Sequence, residues 1–573
     1  MAERRLAIAI KGGVSLGAYE AGVIAETLFI LDYNNRQNLV KWYIDSLAGA
    51  SAGGMTAAVL AMVLVNGSLA GSTPDQNILK KVWVDDISID VLDPPNGVGL
   101  SPDFLFASGA IDKIANDNLK FPNMPVRHSV LRDPLSATGA HLALALTHSR
   151  LGQGLQSVPT FTGSEFLFNE HAALSRFDIR VKPNGAGKLE ATFNGNGVSS
   201  SLSVPQNGTF LDSTSAFAGM ISCAIACGAF PFAFAPRALA LQDDLNDWTG
   251  DYFTDGGLYD NDPVGEAINL AHEIDWGPDA ENFIDAERRY LMIEPEPLEQ
   301  PDHWPSNPQL FPNTNMLNVD PLQMAGRILG GALEELQESG VRGIPEVNRR
   351  AAARRNLIEQ VEYYIHVTAG DLSTPQWLPE MVNKLGGARG LSEQQMNYFR
   401  AHFISDLQTE APIAYGGART LSADRQQLFV EFGLLTDLAM DVTDKVAFEP
   451  ILVRPRTTLA GDPLYAFKGF FDVRIRQHDF SQGIYDAFKV WQAVQQKETR
   501  KNLLLPNQPP QPGALDPNIG AAQLPLLQHR LDTIVDTIIR SLPPAARVLE
   551  KATVEWQIKL FLAKFLRSLD RSS

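Results

Sequence analysis

Apolar residues open the chain in a short unbroken run, Leu6-Ala7-Ile8-Ala9-Ile10, which stops at Lys11-Gly12-Gly13. A run of that length with no polar alternation predicts a strand buried on both faces. Residues 16–32 carry a helical pattern through Tyr19, Val23, Leu28 and Leu31. Residues 42–48 form a second strand candidate. Residues 55–65 lack a polar face, so they predict a buried helix. Further strand candidates are 142–147, 177–182 and 289–294. Alternating strands and helices predict an α/β layered sheet with parallel pairs. The stretches 66–75 and 182–214 are rich in Gly, Ser, Asn and Pro and predict long irregular insertions. Prolines crowd 295–315, a boundary. Beyond it, 321–339, 347–367, 392–408 and 422–446 look helical, 505–517 is a Pro- and Asn-rich linker, and 547–569 is a long helix candidate. There is no internal repeat and no sustained heptad run. The expected organisation is a three-layer α/β/α domain over 1–300, a helical extension over 315–503, and C-terminal helices over 518–573.

Composition narrows the classes. With 573 residues, 45% hydrophobic and 20% charged, the chain is ordinary folded protein of more than one domain. A net charge of −18 opposes nucleic-acid binding, which needs a basic face. The cysteines, Cys223 and Cys227, cannot build a disulfide framework, and without a neighbouring His they make a poor zinc site. They read as small buried side chains. The first apolar run is too short for a secretory signal and no cleavage site follows it. Residues 55–65 fall short of the roughly 18 apolar residues of a membrane span. The expectation is a cytoplasmic protein, able to sit peripherally at a membrane.

Three segments carry candidate chemistry. Gly49-Ala50-Ser51-Ala52-Gly53 is a Gly-x-Ser-x-Gly pattern. A chain of this length shows one by chance about once in five. Its setting adds weight, because a strand precedes it and an apolar helix follows. A sharp turn there would lift the Ser51 hydroxyl off the sheet. An ordinary Ser N-cap is the other reading. The loop Lys11-Gly12-Gly13-Val14-Ser15-Leu16-Gly17 follows the first strand, where glycines let backbone amides converge. Its spacing fits neither a P-loop nor a dinucleotide fingerprint, which leaves an oxyanion hole or a tight turn. The third segment, Thr254-Asp255-Gly256-Gly257, offers a carboxylate in a tight turn. That carboxylate could activate a serine, or it could belong to a plain Asp-Gly turn.

Together and in this order, these blocks resemble the patatin-like phospholipase family. A fourth block agrees: Ser222-Cys223-Ala224-Ile225-Ala226-Cys227-Gly228-Ala229-Phe230-Pro231 is similar to the small-residue, Phe-Pro segment upstream of the family's Asp motif. The resemblance spans residues 5 to about 297. It implies lipid acyl hydrolysis with Ser51 as nucleophile and Asp255 as base. The oxyanion hole would be built at Gly12, Gly13 and Val14, with Gly49, Gly53, Gly256 and Gly257 supporting the turns. It implies a phospholipid or other acyl-ester substrate, no cofactor and no metal. There is one departure. The family often has a third Gly and a basic residue in the oxyanion loop, where this chain has Val14 and Leu16, so a cationic headgroup contact from this loop is lost. Beyond residue 315 the chain resembles the helical extension of bacterial patatin-related proteins, most clearly over residues 468–483.

Other constellations have bland readings beside sharp ones. Glu294-Pro295-Glu296 ends a strand, where it could be catalytic or a solvated turn. His478-Asp479 could be catalytic or a structural pair. His272 or His366 could complete a Ser-Asp-His triad. The helix over 547–569 stacks Ile558, Phe561, Leu562, Phe565 and Leu569 on one face, amid Lys551, Lys559, Lys564 and Arg567. It suits either a membrane surface or docking onto the protein. A catalytically inactive scaffold of the same fold, binding membranes or a protein partner, is the rival to an enzyme.

Overall fold

The computed structural model describes residues 3–297, 357–440, 450–519 and 529 apart from short internal stretches, the longest being 95–103, 133–138, 201–212, 277–285, 366–372 and 411–420. The chain forms two compact units, one of residues 1–274, 281–340 and 450–573, the other of 275–280 and 341–449. The expected helical extension, 315–503, is therefore divided between them.

The first unit is built on a mixed sheet flanked by helices. Its strands are β1 (Glu3–Ile10), β2 (Lys41–Gly49), β3 (Ala140–Pro159), β4 (Glu165–Pro183), β5 (Leu189–Asn196), β6 (Val198–Ser200), β7 (Arg237–Gln242), β8 (Trp248–Asp255), β9 (Ala286–Ile293) and β10 (Ile451–Val453). Their order is β10-β9-β1-β2-β3-β8-β7-β6, with β4 and β5 branching from β3. From β10 to β3 the neighbours are parallel. Beyond β3 they are antiparallel. The parallel half is the part that alternation with helices predicts. The stretch 182–214, expected to be irregular, instead contains β5. Its Ala191 and Phe193 alternate inward and are buried, a period-two signal obscured by the flanking Asn and Gly residues.

Register along β3 brings distant segments together. β2 runs parallel to β3 and ends with Gly49 beside Leu146. β8 runs antiparallel to β3 and ends with Asp255 beside His148. The two strand ends thus approach one short stretch of β3 from opposite directions.

Helix α1 (Gly17–Gln37) and helix α2 (Ala52–Val65) follow β1 and β2, and both are almost wholly buried. The helical stretch Val14–Gln37 is long and apolar enough to cross a membrane, and most of it is inside this fold. The remaining longer helices of the unit are α3 (Ser108–Asn118), α4 (Ser213–Cys227), α5 (Val264–Trp276) and, far downstream, α9 (Val473–Lys497). Helices α1 and α9 cross at glycines. A Cβ on Gly22 would lie 2.0 Å from the Phe480 carbonyl oxygen, and one on Gly483 would lie 2.2 Å from that of Tyr19. Around the crossing, Trp491 donates to Thr27 Oγ1 at 3.1 Å and meets Trp42 edge-on. Overpacking such a contact costs about 1–3 kcal/mol or more. Gly483→Leu is therefore expected to lower the melting temperature by several degrees, measured by circular dichroism.

In the second unit, α6 (Trp377–Ala388), α7 (Glu393–Glu410) and α8 (Ala423–Met440) enclose a separate core that includes Leu378, Val382, Met396, Phe403 and Phe429. The expected helices at 392–408 and 422–446 match α7 and α8. Those at 321–339 and 547–569 lie outside the described residues, as does most of the one at 347–367.

Candidate active site

Ser51 stands between β2 and α2 with φ 51° and ψ −129°, a conformation costly for a residue with a Cβ. Its neighbours must be small. A Cβ on Gly53 would lie 2.3 Å from the Ile10 carbonyl oxygen, and one on Gly49 would lie 2.5 Å from that of Gly53. The Ser51 side chain makes no N-cap bond to α2. Its hydroxyl instead donates to Asp255 Oδ2 at 2.6 Å. Ser51 thus occupies the N-cap position of α2 without capping it through its side chain.

Asp255 closes β8, and its backbone amide donates to the Ala229 oxygen at 3.0 Å. That tie comes from the Phe-Pro block, so the fourth motif fixes the third. The Gly257 amide donates to Asp255 Oδ1 at 2.7 Å. Burial pushes the Asp255 carboxyl up to about 7, against the opposing pull of the Ser51 and Gly257 hydrogen bonds. Gly256 packs so closely on β3 that a Cβ would meet the Thr147 carbonyl oxygen at 2.3 Å.

The glycine loop lies alongside. A Cβ on Gly12 would fall 2.5 Å from the Ser51 Cβ and 2.3 Å from Asn261 Oδ1. The Lys11 amide is committed to the Ile293 oxygen and the Ser15 amide to that of Ala466. Between them, the amides of Gly12, Gly13 and Val14 donate to no acceptor among the described residues. Val14 has φ 49°. This is the left-handed conformation that glycine tolerates, which gives a physical reason for glycine at the equivalent family position.

Two buried groups here were not singled out from the sequence. Asn261 crowds both Gly12 and Gly257, so it wedges the two motif loops together. Its place six residues after Asp255, in Asp260-Asn261-Asp262-Pro263, was the available signal. Glu20, on the first turn of α1, accepts from Thr56 Oγ1 at 3.1 Å, and its other oxygen lies under Gly13. Burial raises its pKa well above the ordinary carboxylate value, against the opposing pull of the Thr56 hydrogen bond.

A cavity with about 510 Å³ of empty space, part of it open to solvent, reaches Ser51 and Asp255. Its other walls are mostly apolar, including Met55, Trp83, Ile111, Ile225, Phe230 and Phe234. Ala229 and Ala235 also contribute to it. Cys223 and Cys227 are fully buried small side chains beside this core.

The remaining candidates lie elsewhere. Glu294 and Glu296 pair with Lys11 at 3.3 and 3.2 Å, and Arg454 also reaches Glu294. The Glu-Pro-Glu turn is thus an ionic tie behind the glycine loop. His272 lies on α5 and does not line the cavity, and His366 lies outside the described residues. Asp479 accepts from the Ala460 and Gly461 amides, both at 2.8 Å, and His478 lies 3.2 Å from it. That pair is structural. His148, opposite Asp255 on β3, is buried, and burial depresses its pKa to about 3, so it stays neutral.

Residues 8–268 match the sequence model of a family described as patatin-like phospholipase. An uncharacterized protein of Sinorhizobium fredii (strain NBRC 101917 / NGR234), y4iI, is 25% identical over 366 residues, which cover 52% of this chain and 50% of the relative. The chain thus spans about half the length of the curated relative it matches.

Proposed function

Because residues 8–268 are a patatin-like phospholipase domain, we propose that the chain hydrolyses carboxylic esters of lipids through a Ser51–Asp255 dyad. The 2.6 Å bond between hydroxyl and carboxylate carries this reading. In the proposed cycle, ionised Asp255 takes the proton from Ser51 as its oxygen attacks the acyl carbonyl. The tetrahedral oxyanion is held by the amides at Gly12, Gly13 and Val14, aided by the N-terminus of α2. The alcohol leaves with the proton returned by Asp255, and water, giving its proton to the freed carboxylate, releases the acyl group as that proton passes back to Ser51. The apolar cavity walls suit a fatty-acyl chain.

Burial makes Asp255 a competent base. A desolvated carboxylate with a pKa near 7 is a far stronger proton acceptor than an exposed one, and it still ionises at neutral pH. The substrate would be a phospholipid or another acyl-ester lipid.

The test is chemical. Full-length protein should cleave a chromogenic acyl ester, and a fluorophosphonate should block that activity while leaving one adduct on Ser51 in a mapped peptide. An unreactive Ser51 in folded protein that turns over no ester returns the chain to the scaffold reading.

A further inference from the structure

The family match ends at residue 268, yet the walls of the cavity do not. Phe470, over two hundred residues after Asp255, lines it together with Ser51 and Asp255. The ring is 3% exposed and meets Phe106 edge-on at 5.9 Å and Phe467 at 5.9 Å. Phe467 in turn meets Phe230, another lining residue, at 5.3 Å.

The same segment grips the glycine loop. The carbonyl oxygen of Ala466 accepts the Ser15 amide at 3.0 Å and also the Ser15 hydroxyl. The Gly469 amide donates to that hydroxyl at 3.1 Å. Ser15 follows Val14, whose φ of 49° needs outside support, and Ala466 itself stands at φ 64°. The segment is fastened from α9 by buried Arg476. Its Nε donates to the Val84 oxygen at 2.9 Å, and its Nη1 donates to the oxygens of Gly469 at 2.9 Å and Phe470 at 3.2 Å. Two of these charge-assisted bonds hold the backbone carrying Phe470, and the third anchors the same guanidinium to Val84.

We propose that residues 466–471 are an integral part of the active site, in which Phe470 sets the length of acyl chain accepted and the bonds of Ser15 to Ala466 and Gly469 hold the oxyanion loop in register. Phe470 is then a specificity-determining residue and Ser15 a positioning residue. This rests on the hydrolase reading and goes beyond it, because neither residue lies in the dyad and Phe470 lies outside the matched domain.

The experiment compares kcat/KM of the full chain on 4-nitrophenyl esters from butanoyl to palmitoyl. Each methylene newly accommodated is worth about fourfold. Phe470→Ala or Phe470→Leu should raise the palmitoyl-to-butanoyl ratio about tenfold or more, and Phe470→Trp should lower it. Ser15→Ala should cut kcat about tenfold with little change in KM, the mark of a contact that matters at the transition state. Should Phe470→Ala fail to fold, Phe470→Leu and Phe470→Trp carry the test. An unaltered ratio in folded Phe470 variants, or a Ser15→Ala enzyme with wild-type kcat, overturns the inference. Failure of the hydrolase reading is distinct, since wild type would then turn over no ester of any length.

Discussion

Ser51→Ala should reduce ester turnover by about 10⁴-fold or more, the scale of loss when an acyl-enzyme nucleophile is removed. The melting temperature should change little near pH 6. At that pH Asp255 is mostly protonated, so losing the hydroxyl leaves no buried charge unpaired. Above pH 7 the variant should melt below wild type, because the 2.6 Å bond that compensates the ionised carboxylate is gone. Steady-state kinetics and a melt at two pH values check both statements. Retention of most activity in Ser51→Ala would remove the mechanism.

The pH profile of kcat/KM should rise with pH and be half-maximal near 7, because the proposed base would act only when ionised and burial holds Asp255 at about 7. Stability should run the other way. The folded-state pKa lies above the ordinary 3.8, so folded protein keeps a proton that the unfolded chain has released. The contribution of this group is therefore fully present below about pH 4 and is lost as pH rises through about 7. Asp255→Asn should lose about 10³-fold or more in kcat and lose the acidic limb of the profile. It should melt above wild type at pH 8, with the gap closing toward pH 4. A neutral amide can satisfy the Gly257 amide and face Ser51 without burying charge. Activity that falls with rising pH through 7, or an Asn variant less stable at pH 8, would contradict the assigned role. A base that costs stability at the working pH is a common feature of functional sites.

The residues that the fold brings together at the cavity were more legible than the scaffold around them. Ser51, Asp255 and the glycine loop were readable because each needs a local pattern, small residues at fixed offsets, that a turn imposes on its own sequence. Asn261 and Glu20 were not, since each acts by filling space beside glycines that are distant in sequence or a turn away. The segment around Phe470 resembled a family extension and nothing more, because a wall of a cavity carries no motif. Strand β5 was hidden by polar flanks, whereas β1 and β2 stood out because both faces are buried. The conformation of Val14 could not be read at all. A valine signals a strand, and only the contacts of its neighbour Ser15 explain how the loop keeps a glycine-like turn there.

The use of β3 as a shared neighbour has a mechanical consequence. The 204 positions separating hydroxyl from carboxylate in sequence do not determine how far apart those groups are. That distance is gauged by the short step from Leu146 to His148, against which one strand ends from each side. Sliding β3 lengthwise would carry both abutting ends along, and loops in the intervening polypeptide can lengthen at little entropic cost. One residue added within the step itself would part the ends by about 3.3 Å, more than a hydrogen bond can stretch. The tolerance of this protein for insertions should therefore be broad along most of the chain and narrow at a point that bears no reactive group.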